Sequence, residues 1–271
     1  MEKVEEESGT VNPVLDKDGN VSVLFMSTKT MREAFREFAC ETAQIDTNFD
    51  IDSSKCKLCA FCYLHPTTNK SEFCALTFLS DETAKTFEAA FLLFKTVCCV
   101  PPAVIFVDNK DFNEINVLKK VFPSAAILLC NFHVIKYVKN LIATALVKVE
   151  VKDEIMTYFK SMMYARSEEA YNKRRTILLL SVEGVQVRAN KKYILLSEQF
   201  LNNWHTSKEM WVAYYRRELP TYGDNTSNRI KRSFWTLKQS LEHRFCSSHS
   251  IHRSIIHVIS FCDDQISNAS L

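Results

Sequence analysis

Ala103-Val104-Ile105-Phe106-Val107 is the stretch whose reading decides the fold. It is an unbroken apolar run fenced by Pro101-Pro102 on one side and Asp108 on the other. The run is too short for a buried helix and lacks the alternation of a strand with one wet face. It reads instead as a strand covered on both sides, as parallel strands are. Ala126-Ile127-Leu128-Leu129 repeats the pattern. Between the two runs, Ile115, Leu118 and Phe122 recur at helical spacing over 111–121, and Pro123 ends the helix. Phe132 to Leu146 reads as the next helix.

Upstream of this alternation, strands dominate. Val21 to Met26 is β-prone, and Met31, Phe35 and Phe38 mark a helix over 30–38. Strand-like segments follow at Ala43 to Phe49, Leu58 to Leu64 and Phe73 to Leu79, with His65-Pro66-Thr67-Thr68-Asn69-Lys70 as a hairpin turn. Ser80 is the expected cap of a helix whose buried face is Phe87, Ala90, Phe91 and Phe94. Strands first, then helix and strand in alternation, predict an α/β fold with a mixed sheet flanked by helices. Downstream, 151–215 reads as all-helical, with a helix start at Ser167-Glu168-Glu169, and Arg229 to His243 as a basic amphipathic helix. The expected organisation is therefore a mobile acidic lead at 1–20, a core at 21–150 and an all-helical insertion at 151–215. A basic last core helix region at 216–245 and a tail at 246–271 complete it.

Composition narrows the function. With 46% hydrophobic residues in 271, the chain has apolar material for a sizeable core. Its 4 glycines, Gly9, Gly19, Gly184 and Gly223, are too scattered for a dinucleotide-binding turn or a phosphate-cradling loop, which argues against kinase and Rossmann readings. The longest apolar stretch, Val97 to Val107, is too short to span a bilayer, so no membrane partner is expected. The acidic start of the chain lacks the blocks of a secretion signal, and an intracellular protein is expected. From Arg188 to Arg244 there are eleven Lys/Arg against five Asp/Glu, a surplus that suits a polyanion.

The order of several short motifs adds a resemblance. These are Thr30-Met31-Arg32-Glu33-Ala34-Phe35, Ile45-Asp46-Thr47-Asn48-Phe49, Leu79-Ser80-Asp81-Glu82-Thr83 and Val104 through Glu114. Val121-Phe122-Pro123-Ser124-Ala125, Leu129-Cys130-Asn131-Phe132-His133, Trp211 and Asn225 through Lys238 follow. Together they resemble the RNase H-like transposase domain of Mutator-like elements, in the version found in zinc finger SWIM domain-containing proteins of types 1 and 3. The likeness runs from about Val21 to Leu241. The Cys-x-Cys and Cys-x-His pairs of a SWIM finger do not occur after Leu241, so a copy without its zinc module is expected.

What the resemblance implies is chemical. Active members hold two divalent metals with two aspartates and a glutamate, and the metals activate the attacking oxygen and stabilise the leaving one. Asp46 matches the first aspartate and Asp108 the second, with Asp111 as the alternative register. The glutamate follows Asn-Arg-Ile, and here that place is Lys231. A cation where a metal ligand belongs implies a pseudoenzyme that requires no cofactor. Mg²⁺ or Mn²⁺ on Asp46 and Asp108 belongs to the alternative, an active transposase or nuclease with another third acid. Glu242 lies eleven residues on, about 16 Å along a helix, too far to serve. DNA is the partner implied, in the nucleus, and Arg216, Arg217, Arg229, Lys231, Arg232, Trp235 and Lys238 are the candidates to track it. Protein partners, or a scaffold with no nucleic-acid role, are the other readings.

Two cysteine motifs invite zinc. Cys130-x-x-His133 supplies two ligands where a structural zinc takes four, and reads as a buried strand-to-helix junction. Cys56-x-x-Cys59-x-x-Cys62-x-x-His65 has four, but on a strand residues three apart face opposite ways.

Overall fold

The computed structural model describes residues 10–38, 41–48, 57–98, 101–108, 112–189, 191–223, 228–242 and 251–269. Two compact units divide the chain. The first is Met1–Ile127 with Ser227–Leu271, and the second is Leu128–Thr226.

The first unit contains six strands of a seven-stranded mixed sheet and the start of the seventh, which runs past the division at Ile127. The strands of the sheet are β1 (Thr10–Leu15), β2 (Val21–Ser27), β3 (Thr42–Asn48), β4 (Lys57–Leu64), β5 (Ser71–Leu79), β6 (Val104–Val107) and β7 (Ala126–Leu129), in the order β1-β2-β5-β4-β3-β6-β7. Pairing is antiparallel from β1 through β3, and β3 with β6 is parallel, as the unbroken apolar run of β6 predicts. Helices α1 (Lys29–Phe38), α2 (Ala84–Cys98) and α3 (Phe112–Val121) come from the first segment. Helices α9 (Asn228–Glu242) and α10 (Ile251–Ala269) come from the last.

Helices cover both faces, which is why β4 and β5 are buried along nearly their whole length rather than alternately. On one face Phe61 of β4 stacks on Phe94 of α2 at 4.2 Å and meets Phe91 edge-on at 6.0 Å. On the other, Phe73 of β5 meets Phe234 of α9 at 5.7 Å. The expected hairpin turn is present: the His65 N–H donates to the Lys70 carbonyl, and Asn69 takes the left-handed φ of 54°. The α2 cap is Thr83 rather than Ser80, its Oγ1 accepting from the Thr86 N–H.

Two expectations at the ends are corrected. The lead at 1–20 contains β1, which Asn12 and Pro13 disguise; an outer strand tolerates proline because one side of it needs no ladder bonds. The tail at 246–271 contains α10, held by buried Val258, Ile259, Cys262 and Ile266 and by Thr28 Oγ1 donating to Asp263 Oδ1 at 2.6 Å.

The second unit holds α4 (Asn131–Ala143), α5 (Val149–Met163), α6 (Glu168–Ser181), α7 (Leu196–Asn203), a 3₁₀ turn (His205–Met210) and α8 (Ala213–Arg216). The Ser167 Oγ caps α6, accepting from the Ala170 N–H at 3.1 Å. The core is aromatic: Phe159 stacks on Trp211 at 5.2 Å, and the Trp211 Nε1–H donates to the Trp204 carbonyl. The insertion is not all-helical. Gln186–Ala189 (β8) and Lys192–Leu195 (β9) pair as a short hairpin, with Lys191 at φ 65° where a glycine would have announced the turn. Among the described residues, no helix is long and apolar enough to cross a membrane.

Candidate functional site

The parallel register of β3 and β6 pairs Ile45 with Val107. One step further, Asp46 is still in β3 and Asp108 directly follows β6, so the register sets the two side by side, about 5 Å apart across the ladder. Both carboxylates are nearly sealed, at 4% and 5% exposure. Helix α9 then brings Lys231 to them. Its Nζ lies 3.4 Å from Asp46 Oδ2 and makes a closer ion pair with Asp108 Oδ2. The helix is held in place by buried Ile230, Phe234 and Leu237, and by the Ser233 hydroxyl donating to the Ser71 carbonyl at 2.6 Å. Ser71 in turn donates to Gln44 on β3 at 2.6 Å.

The charges answer one another. Burial, and then the neighbouring charge of Asp108, push the Asp46 carboxyl up to about 7 against the counter-pull of Lys231. Burial works against the Lys231 ammonium, but the two carboxylates outweigh it and hold its pKa above the usual lysine value. Mg²⁺ needs near-octahedral oxygen ligands at about 2.0–2.1 Å. Two carboxylates with an ammonium already against both do not by themselves offer that set. Asp111, the alternative second acid, lies outside the described residues.

The candidate nucleic-acid residues differ in their surroundings. Arg216 is buried at 3% exposure, and its Nη2 donates to the Leu129 and Met210 carbonyls, so its expectation is corrected: the guanidinium clamps backbone within the second unit. Arg217, also in that unit, pairs with Glu218 at 2.8 Å and lies over the Tyr214 ring. On α9 the remaining five split between two flanks. Lys231, Trp235 and Lys238, at i, i+4 and i+7, share the flank facing the carboxylates, and Trp235 is 62% exposed. Arg229 and Arg232 take the other flank, where they join Lys70 of the β4–β5 turn. Lys70 belongs to the hairpin turn legible in the sequence, but nothing local in that turn signals its meeting with Arg229 and Arg232, some 160 positions away.

The described cysteines of both motifs are buried. Cys59 is near Glu114 of α3 while Cys62 is near Cys262 of α10, on opposite faces of β4, and burial raises both thiols. The His65 Nδ1 accepts from the N–H groups of Thr67 and Thr68, and Cys56 lies outside the described residues. Cys130 is buried just before α4, with its carbonyl accepting from the Val134 N–H, and His133 is half-buried in the first turn.

Two family models match the chain. Residues 1–128 match the RNaseH-like domain of zinc finger SWIM domain-containing proteins 1/3, and residues 111–271 match the ISL3 transposase family. Among solved structures, the chain is similar to one in a simian T-cell lymphotropic virus intasome complexed with the PP2A regulatory subunit B56 gamma. That match has 12% identity, TM-score 0.27, and covers 51% of this chain and 47% of that one. It is also similar to the HTLV-2 integrase catalytic core domain in complex with magnesium, at 14% identity and TM-score 0.24, covering 56% of this chain and 92% of that one. The chain thus spans about half the length of the first. No curated protein matches it. With more than half of its residues under the transposase family and the first 128 under an RNaseH-like domain, the chain belongs to the RNase H-like transposases.

Proposed function

We propose that this chain is a transposon-derived RNase H-like domain that has lost metal-dependent strand transfer and serves as a nucleic-acid-binding module. The observation that carries the reading is the Lys231 ammonium, ion-paired with both Asp46 and Asp108. An ammonium there satisfies the two acids and leaves them no call for a divalent cation. It activates no water and stabilises no leaving oxygen. The binding role rests on the α9 flank beside the acids, where Trp235 offers a face for base stacking and Lys238 a cation for phosphate. A nuclear location goes with this role.

The test is Mg²⁺- and Mn²⁺-dependent cleavage of labelled DNA by the wild type, Lys231→Glu and Asp108→Asn, with DNA binding followed by fluorescence anisotropy. The wild type is expected to bind without cutting, and Lys231→Glu to gain metal-dependent cleavage. Trp235→Ala is expected to weaken single-strand binding by about 1–3 kcal/mol. A wild type that cuts, with Asp108→Asn abolishing the cut, would make this a working nuclease. No salt-sensitive binding to any nucleic acid would remove the binding role and leave a protein-interaction scaffold.

A further inference from the structure

On the flank of α9 away from the acids, the first unit has a concavity of about 720 Å³, within the range that accommodates cofactor-sized ligands. Its walls are the β4–β5 turn, the first half of α9 and Gln265 of α10. Among the described residues, three cations line it, Lys70, Arg229 and Arg232, against one acid, Glu72, whose carboxylate accepts from the Tyr63 hydroxyl at 2.7 Å. Arg229 and Arg232 are three apart on the helix and Thr236 follows at i+4 from Arg232, so all three lie along one side.

We propose that this concavity is a binding site for the phosphate of a nucleotide, separate from the paired acids. Guanidinium groups present forked donors that match phosphate oxygens two at a time, and a recess lined mainly by one sign of charge focuses its potential on an incoming anion. The walls are pre-ordered. The turn is locked by Asn69 at φ 54° and by the His65 ring accepting from the Thr67 and Thr68 N–H groups. The helix is clamped to β5 through Ser233 and the Ser71 carbonyl. The volume leaves room for a nucleoside beside the phosphate, and Thr236 and Gln265 supply neutral donors and acceptors to hold it. The same phosphate chemistry has two sources, a free nucleotide or the phosphorylated end of a strand. The site uses other residues than the α9 flank invoked for the proposed function.

The experiment uses the full chain with two probes, a fluorescent ADP analogue and a labelled 12-nucleotide DNA with or without a 5′-phosphate. The variants are Lys70→Gln, Arg232→Gln and the double, with Lys29→Gln on α1 as a charge control. Both altered side chains are exposed, and an unchanged urea midpoint confirms folding. At least one probe should bind saturably, each single variant should weaken it roughly tenfold, and Lys29→Gln should not. Binding of the ADP analogue that inorganic pyrophosphate displaces identifies a free nucleotide. Preference for the 5′-phosphorylated strand over the unphosphorylated one identifies a strand end. Failure of the ADP analogue to saturate together with no preference for the 5′-phosphorylated strand, or either of these persisting unchanged in the double variant, overturns the proposal. Trp235→Ala reads the other flank, so loss of one binding mode leaves the other measurable.

Discussion

Replacing Lys231 with methionine keeps the aliphatic stem and removes the charge that the two buried acids share. At an effective dielectric of 20, unit charges 3.4 Å apart attract by about 5 kcal/mol. Lys231 is 41% exposed, so water screens part of this, and the partial burial of the ammonium subtracts more. A net loss of about 2–3 kcal/mol is expected at about pH 8, above the raised value of Asp46 in the wild type. The pH dependence is the sharper signature. The Asp46 carboxyl is raised from 3.8 to about 7 in the folded chain. An acid raised by folding stabilises the folded state fully below 3.8, and that contribution is lost as pH climbs to about 7. In Lys231→Met the downward pull on Asp46 is gone, so the falling limb runs on above 7. Urea unfolding followed by circular dichroism at about pH 5 and about pH 8 should show a small gap between wild type and variant at the lower pH and a wide one at the higher. A gap that does not change with pH, or a variant as stable as wild type at the higher pH, would refute the reasoning.

Arg216→Met should cost about 2–4 kcal/mol in urea unfolding, since it leaves the Leu129 and Met210 carbonyls without their donor, and should leave DNA affinity unchanged. Phe61→Ala should cost about 3–5 kcal/mol, because the ring is fully buried between Phe91 and Phe94. The buried thiols of Cys59, Cys62 and Cys262, all raised by burial, should react with a thiol-specific chromogen at about pH 8 only after the chain is unfolded.

Much of the sheet was legible because its strands carry their environment in their composition. The β6 run is apolar because both its faces are covered, and the β4–β5 hairpin is announced by the polar turn between two apolar strands. The elements that escaped were those whose local signal opposes their place. Pro13 argues against a strand until β1 is known to lie at the edge, and the β8–β9 turn uses Lys191 where glycine would have signalled it. Helix α10 is amphipathic, yet the stretch read as a tail because its polar and histidine-bearing start hid the later spacing of Val258, Cys262 and Ile266. The site divides the same way. Asp46, Asp108 and Lys231 could be named because motif order points to each. The burial of Arg216 and the company Lys70 keeps depend on packing between distant segments, which no local pattern records.

The register of β3 and β6 gives Lys231 a further meaning. As long as Ile45 pairs with Val107, Asp46 and Asp108 are forced together inside the fold, whatever chemistry they perform. Two carboxylates this buried and this close cannot both ionise without a counter-charge, so the fold requires either a proton shared between them or a cation beside them. In a metal-loaded transposase, bound metal provides that cation. Here the chain provides it from its own helix, fixed by the packing of Ile230, Phe234 and Leu237 against the sheet. A glutamate at 231 would add a third acid to the pair, and the folded state would then depend on metal or on further protonation. On the function proposed above, lysine does more than remove a metal ligand: it frees the stability of the core from metal binding. Lys231→Glu should accordingly unfold more easily than the wild type in a chelator, and recover when Mg²⁺ or Mn²⁺ is added, whereas the wild type should be indifferent to both. Equal sensitivity of the two proteins to chelator would show that the lysine does not play this part.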